Sequence, residues 1–243
     1  MNIEYKYEVT PENREKEYQK ALDRVMKHFI LSNCKSEEPM FILAGGQPGS
    51  GKTALISTIK QQHPDLSFVV IDLDDYRKYH PDFEEIKNKH KKDGVLLTNS
   101  FAFSIENHML AYAISHKMNV INVSTLRNTK MIQKSIMQNI KPSGFKVEAY
   151  VLAVSPDESY CSTLQRYKEQ QKNPNCIPRF TEKEFHDLSY QNLDLTIKQL
   201  ESMNIPITIC KRASKKDKPA LIVYYKNLKN SLFLVKKIRQ EKK

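Results

Sequence analysis

No apolar run in this 243-residue chain approaches the roughly 20 residues that span a bilayer, so no membrane helix is expected. The first twenty residues, MNIEYKYEVTPENREKEYQK, are polar and hold no h-region, so no secretory leader is expected either. Four cysteines (Cys34, Cys161, Cys176 and Cys210) stand far apart in no metal-ligand pattern, which fits idle thiols in a reducing cytoplasm. Internal repeats and low-complexity segments are missing, which sets aside solenoids and disordered arrays. What remains is a globular chain with 40% hydrophobic residues, enough for a core, and a formal net charge of +11. That charge suits an acidic ligand such as a nucleotide, a nucleic acid or an acidic protein, or it solubilises the surface. Much of it is local: KNKHKKD at 87–93, KRASKKDKP at 211–219 and KKIRQEKK at 236–243, the last reading as a frayed tail. Charge alone does not make nucleic acid the expected partner.

The stretch FILAGGQPGSGKTALISTI, residues 41–59, organises the rest. Phe41 to Ala44 is a short apolar run, Gly46-Gln47-Pro48-Gly49-Ser50-Gly51-Lys52-Thr53 fits G-x-x-x-x-G-K-[ST], and Ala54 to Ile59 continues as an amphipathic helix. Glycines let backbone N–H groups turn inward around phosphate oxygens. The helix start points its positive end at the same anion. Lys52 adds a full charge for the outer phosphates, and the Thr53 hydroxyl can sit on Mg²⁺. Gly46 to Ala54 are the candidate ATP contacts, with Thr53 the candidate metal ligand.

The remainder alternates helix and strand. A helix is expected over 11–32, starting with Pro11 and burying Ala21, Val25, Met26, Phe29 and Ile30. Strands are expected at 67–71, 118–123, 145–154 and 205–210, with a short hairpin partner at 220–225. The second strand ends in Asp72-Leu73-Asp74-Asp75, where ligands bind in open α/β sheets, and an extended chain puts Asp72 and Asp74 on one face. Residues 76–92 read as a polar surface excursion. Helices are expected over 99–117, 132–140, 155–171 and from a capping box at Thr181 to about Met203. The implied class is α/β: a P-loop NTPase-like, doubly wound, mostly parallel sheet of five to six strands flanked by helices.

With GGQPGSGKT at 45–53, VID-x-D at 70–74, HPDFEEI at 80–86, T-x-R at 125–127 and AVSPDESYCSTLQRY at 153–167, the chain resembles the zeta toxins of bacterial toxin–antitoxin systems over roughly residues 36–225. The resemblance implies a kinase domain there, which leaves an N-terminal helical appendage at 1–35 and a basic tail at 226–243. It implies transfer of the ATP γ-phosphate to the 3′-hydroxyl of UDP-N-acetylglucosamine or a related nucleotide sugar, and an epsilon-type antitoxin that covers the ATP site. By position, Lys52, Asp74, Arg166 and Arg179 are the implied catalytic set, with Asp74 as base. Asp72, Asp74, Glu106, Thr125 and Arg127 are the implied substrate contacts. An ungapped alignment puts Asn107 rather than Glu106 on the family's helix glutamate. Val123 stands where the family's third strand carries another glutamate, so the acceptor pocket reads as altered. Two other readings remain open: a different P-loop phosphotransferase, such as a polynucleotide or antibiotic kinase, or a nucleotide-binding module without catalysis.

Overall fold

β-branched runs with no polar alternation form strands that are covered on both faces. In the computed structural model, which describes residues 6–30, 34–173, 175–212, 221–227 and 230–240, five such runs are parallel. They are β1 (Met40–Gly45), β2 (Val69–Asp72), β3 (Val120–Ser124), β4 (Lys146–Ala153) and β5 (Ile207–Lys211). An antiparallel edge strand, β6 (Leu221–Asn227), pairs with β5, and the spatial order is β2-β3-β1-β4-β5-β6. β1 lies between β3 and β4, with Ala44 opposite Val123 on one side and Tyr150 on the other. The chain therefore leaves β1 in both directions, and a crevice opens at the carboxyl ends of the strands.

Eight helices of seven residues or more occur among the described residues: α1 (Glu15–Ile30), α2 (Lys52–Gln62), α3 (Phe83–Lys89), α4 (Asn99–Ser115), α5 (Thr129–Ser135), α6 (Pro156–Gln170), α7 (Lys183–Ser202) and α8 (Ser231–Gln240). Ile42 and Ala44 of β1 pack with Leu55 and Ile59 of α2. Phe41 and Leu43 face the opposite layer, with Phe101, Ile105 and Met109 of α4 and Leu193 and Ile197 of α7. Leu55 and Ile59 are fully buried, so their packing contributes about 3–6 kcal/mol toward holding α2 and its preceding loop on the sheet.

The expected strands and helices are present with boundaries moved by a few residues, and several local differences have physical causes. The first helix starts at Glu15, not Pro11. The Asn13 side chain accepts from the Thr10 N–H (2.7 Å) and donates to the Glu8 carbonyl (3.0 Å), which holds residues 10–13 in a turn. Tyr18, Ala21, Leu22, Val25 and Phe29 form its buried face; the side chain of Ile30 lies outside the described residues. The 76–92 stretch is not a surface excursion. Tyr76, Arg77, His80 and Ile86 are buried, and Ile86 joins Tyr7, Leu97 and Ile177 in a separate small core. Thr181 does not cap a helix, because α7 begins after Glu182 and then runs unbroken to Ser202. The basic run read as a frayed tail at 236–243 is helical as far as Gln240: residues 231–240 form α8, Val235 is buried, and Arg239 Nη1 donates to Asp194 on α7 at 2.7 Å. Among the described residues no helix is long and apolar enough to cross a membrane.

Candidate active site

A cleft of about 2410 Å³ lies over the carboxyl ends of β1, β2 and β3. Its floor is the glycine loop between β1 and α2. Gly49 has φ +77°, and a Cβ there would stand 2.0 Å from the Ser159 carbonyl oxygen, so only glycine lets α6 close behind the loop. Gly51 (φ 100°) takes the left-handed conformation that starts α2. Gln47 is fully buried and holds the loop from inside: its Nε2 donates to the Val154 carbonyl (2.8 Å) and to Ser159 Oγ (3.2 Å). Ser159 Oγ in turn pairs with His186 Nε2 at 2.8 Å. The Ser50 hydroxyl is buried within the loop. Pro48, Gly49, Gly51, Lys52, Thr53 and Ala54 line the cleft, and the Ala54 N–H donates to the Gly51 carbonyl (3.1 Å), closing the first turn of α2.

Lys52 Nζ is folded back onto the loop, donating to the carbonyls of Gly46 (3.0 Å) and Gln47 (3.4 Å). Burial pushes it down to about 8, against the opposing pull of Asp72. A cation that rests on two carbonyls and is poorly solvated is suited to a polyanion. A loop of positive-φ glycines, a helix N-terminus and this lysine together fit a nucleotide triphosphate. Among the described residues no group of three His, Cys, Asp or Glu side chains is placed to hold a metal alone. A hard cation here would therefore share phosphate oxygens and water with Thr53, as Mg²⁺ does in phosphoryl-transfer sites.

Asp72 and Asp74 do not share a face of an extended chain. The backbone turns helical at Leu73, and the Asp72 carboxylate caps that turn by accepting from the Asp74 N–H at 3.0 Å. Burial and the neighbouring Asp74 charge push the Asp72 carboxyl up. Asp74 is held by two guanidiniums: Arg77 Nε donates to Oδ1 (2.9 Å) and Arg179 Nη1 to Oδ2. Burial acts to raise Asp74, but Arg179 and Arg77 outweigh it and hold the carboxyl well below the usual range. Arg166 lies beside this pair; its Nη2 donates to Thr181 Oγ1 at 3.5 Å, and burial and then Arg179 push it down to about 10. Glu106 faces the same cluster from α4, pushed up to about 7 by burial and then by Asp72, with its side chain hydrogen-bonded to Asn122. Asn107 also lines the cleft but is exposed.

Lys52, Asp72, Asp74, Glu106, Arg166 and Arg179 are thus one electrostatic set. Thr125 and Arg127 line the same cleft, and Arg127 turns to Phe185, its guanidinium 4.1 Å from the ring centroid. Val123 pairs in register with Ala44 and Asp72 and packs into the core under α2, 6% exposed. Three neighbours of the set go unnoticed in the sequence. Arg77 was legible only as an i,i+3 partner of Asp74. Asn122 is a lone amide in an apolar strand. Arg212 lies in a basic run that reads as surface charge, yet its Nη1 donates to Ser162 Oγ (2.6 Å) and to the Gly49 carbonyl (3.4 Å).

Known proteins resemble this chain in sequence and in fold. The chain is 35% identical over 190 residues to Toxin PezT of Streptococcus pneumoniae, covering 78% of this chain and 74% of that protein. It is 28% identical over 192 residues to Toxin zeta of Streptococcus agalactiae, spanning 79% of this chain and 66% of the relative's length. A solved structure from the PezAT chromosomal toxin–antitoxin system of Streptococcus pneumoniae superposes with a TM-score of 0.79 at 29% identity, covering 98% of this chain and 91% of that one. The family model for zeta toxin matches residues 26–226, and the chain belongs to the zeta toxin family.

Proposed function

We propose that the protein is an ATP-dependent kinase that phosphorylates the 3′-hydroxyl of UDP-N-acetylglucosamine or a related nucleotide sugar, as the toxin of a toxin–antitoxin pair. The observation that carries this reading is the meeting of Lys52, Asp74, Arg166 and Arg179 in one cleft beside the glycine loop. In it Lys52 leaves the Gly46 and Gln47 carbonyls for the phosphates, and Arg166 and Arg179 balance charge on the transferring group. Asp74 accepts the acceptor hydroxyl's proton as the new P–O bond forms and the bond to the leaving ADP oxygen breaks. Mg²⁺, held at Thr53, would supply charge neutralisation on the phosphate oxygens. Glu106, Asn122, Thr125 and Arg127 provide polar groups for the acceptor. The partner is an epsilon-type antitoxin that covers the nucleotide site, a reading supported by likeness to a toxin–antitoxin system.

The test is a transfer assay with Mg²⁺-ATP and UDP-N-acetylglucosamine, alongside UDP-glucose, UDP-N-acetylmuramic acid and an oligonucleotide, with products read by mass. One added phosphate on UDP-N-acetylglucosamine that disappears in Asp74→Ala and Lys52→Ala supports the reading. Transfer only to the oligonucleotide would make the protein a polynucleotide kinase. Tight ATP binding with no transfer to any acceptor would make it a binding module.

A further inference from the structure

Asp74 Oδ1 and Oδ2 have partners of opposite character. Arg77, which holds Oδ1, is 7% exposed. Its Nη1 donates to the Val95 carbonyl (2.9 Å) and to Thr98 Oγ1 (3.0 Å), and its Nη2 to Asn99 Oδ1 (3.3 Å). Thr98 is itself fully buried and tied to the Gly94 carbonyl at 2.8 Å. Every nitrogen of this guanidinium is therefore committed, and its plane is fixed by the segment that leads into α4. A buried, fully bonded arginine fork directs its bonds more tightly than a lysine would. Arg179, which holds Oδ2, projects from a stretch without regular structure, and its side chain is 29% exposed.

Building on the kinase reading, we infer that Arg77 is the positioning residue of the catalytic centre: it locks Oδ1 in place through the reaction, so that Oδ2 alone receives the acceptor's proton. The base then has one permanent partner and one replaceable partner. A carboxylate with a single free oxygen and a fixed plane aims at one hydroxyl of the acceptor, which is where orientation gains its rate. The charged groups around this carboxyl are Arg77 and Asp75 from its own turn, Asp72 from the end of β2, Lys52 from α2, Glu106 from α4, Arg166 from α6 and Arg179. Of these, Arg77 alone is anchored on the far side by a backbone carbonyl and two side chains.

The test compares the full chain with Arg77→Lys and Arg77→Gln, reading kcat and KM for each substrate from pH 4 to 9. It also follows the Asp74 carboxyl by carbon NMR, and fold by circular dichroism and Tm. Arg77→Gln is expected to lower kcat about 100-fold, with KM for ATP within about twofold, and to move the Asp74 titration followed by NMR upward by at least about one pH unit. Arg77→Lys keeps the charge without the fork, and is expected to return the titration close to wild type while recovering about a tenth of kcat. A lower Tm in Arg77→Gln with kcat and the Asp74 titration unmoved would overturn the inference, since that is what a merely structural arginine gives. If Arg77→Gln does not fold, Asn99→Ala replaces it; it frees one Arg77 nitrogen and must shift the titration in the same direction by a smaller amount, or the inference falls. A wild-type chain that transfers phosphate to nothing, but shows the expected titration differences, overturns the kinase reading and leaves the Arg77–Asp74 pairing standing.

Discussion

Arg179 and Asp74 are joined through Nη1 and Oδ2 across 105 residues of chain. The base of the proposed reaction is thus covered by one of the cations proposed to serve the phosphoryl group. In that reaction phosphate oxygens would compete for Arg179 and release Oδ2, leaving the acceptor a free carboxylate oxygen only once a nucleotide is in place. Calorimetry should therefore show UDP-N-acetylglucosamine binding at least about fivefold more tightly with a non-hydrolysable ATP analogue present, a coupling of about 1 kcal/mol. In Arg179→Ala this dependence should largely vanish. Equal acceptor affinity with and without the analogue in the wild type would refute the release step.

Arg166 has a buried Nε with no partner among the described residues and one long bond to Thr181. A guanidinium so little engaged is available to charge that develops during transfer. Arg166→Ala should lower kcat by about 10³-fold while leaving the Kd for ATP within about threefold. A loss confined to ATP binding would assign Arg166 to the ground state instead.

Burial and then Asp72 push the Glu106 carboxyl up to about 7. A carboxyl whose folded value exceeds its unfolded value contributes stability that is full below the unfolded value and lost as pH rises through the folded one. The chain should therefore lose Tm between about pH 4.5 and 7 on account of this group, beginning near an ordinary glutamate. Glu106→Gln removes the loss, so melting curves should show its Tm gaining on wild type from pH 5 to pH 8. A gain that is constant across that range would show that Glu106 does not titrate there.

Burial pushes Lys52 down to about 8. Polyphosphate beside it favours the ammonium form, so ATP binding at pH 8 should take up a fraction of a proton that binding at pH 6 does not. Titrations in buffers of different ionisation enthalpy measure this directly. No difference between the two pH values would mean that the lysine is fully charged before the nucleotide arrives.

The glycine loop was legible because its chemistry is local: Gly49, Gly51 and Lys52 do their work within a few residues of one another. Parallel strands were legible for the same reason, as short apolar runs followed by helical periodicity. Arg77 and the 76–92 stretch were misread because charged and aromatic residues look solvent-bound until distant groups cover them. Tyr7 reaches over from the N-terminal segment, and Val95, Thr98 and Asn99 satisfy the arginine. The face shared by Asp72 and Asp74 failed because one capping hydrogen bond turns an extended strand end into a helical turn. Arg212 gave no signal, since only the pairing of β4 with β5 carries the end of β5 to the loop.

The small core of Tyr7, Ile86, Leu97 and Ile177 has a mechanical consequence. Ile177 is two residues from Arg179 and packs against Gly94, where a Cβ would meet its Cγ2 at 2.6 Å. Leu97 immediately precedes the Thr98 and Asn99 that grip Arg77. One apolar knot therefore tethers both arginines that hold Asp74, and Tyr7 ties it to the chain's first described residues. Tension or a ligand on that N-terminal segment would be felt at Asp74, through the same four side chains, without touching the glycine loop.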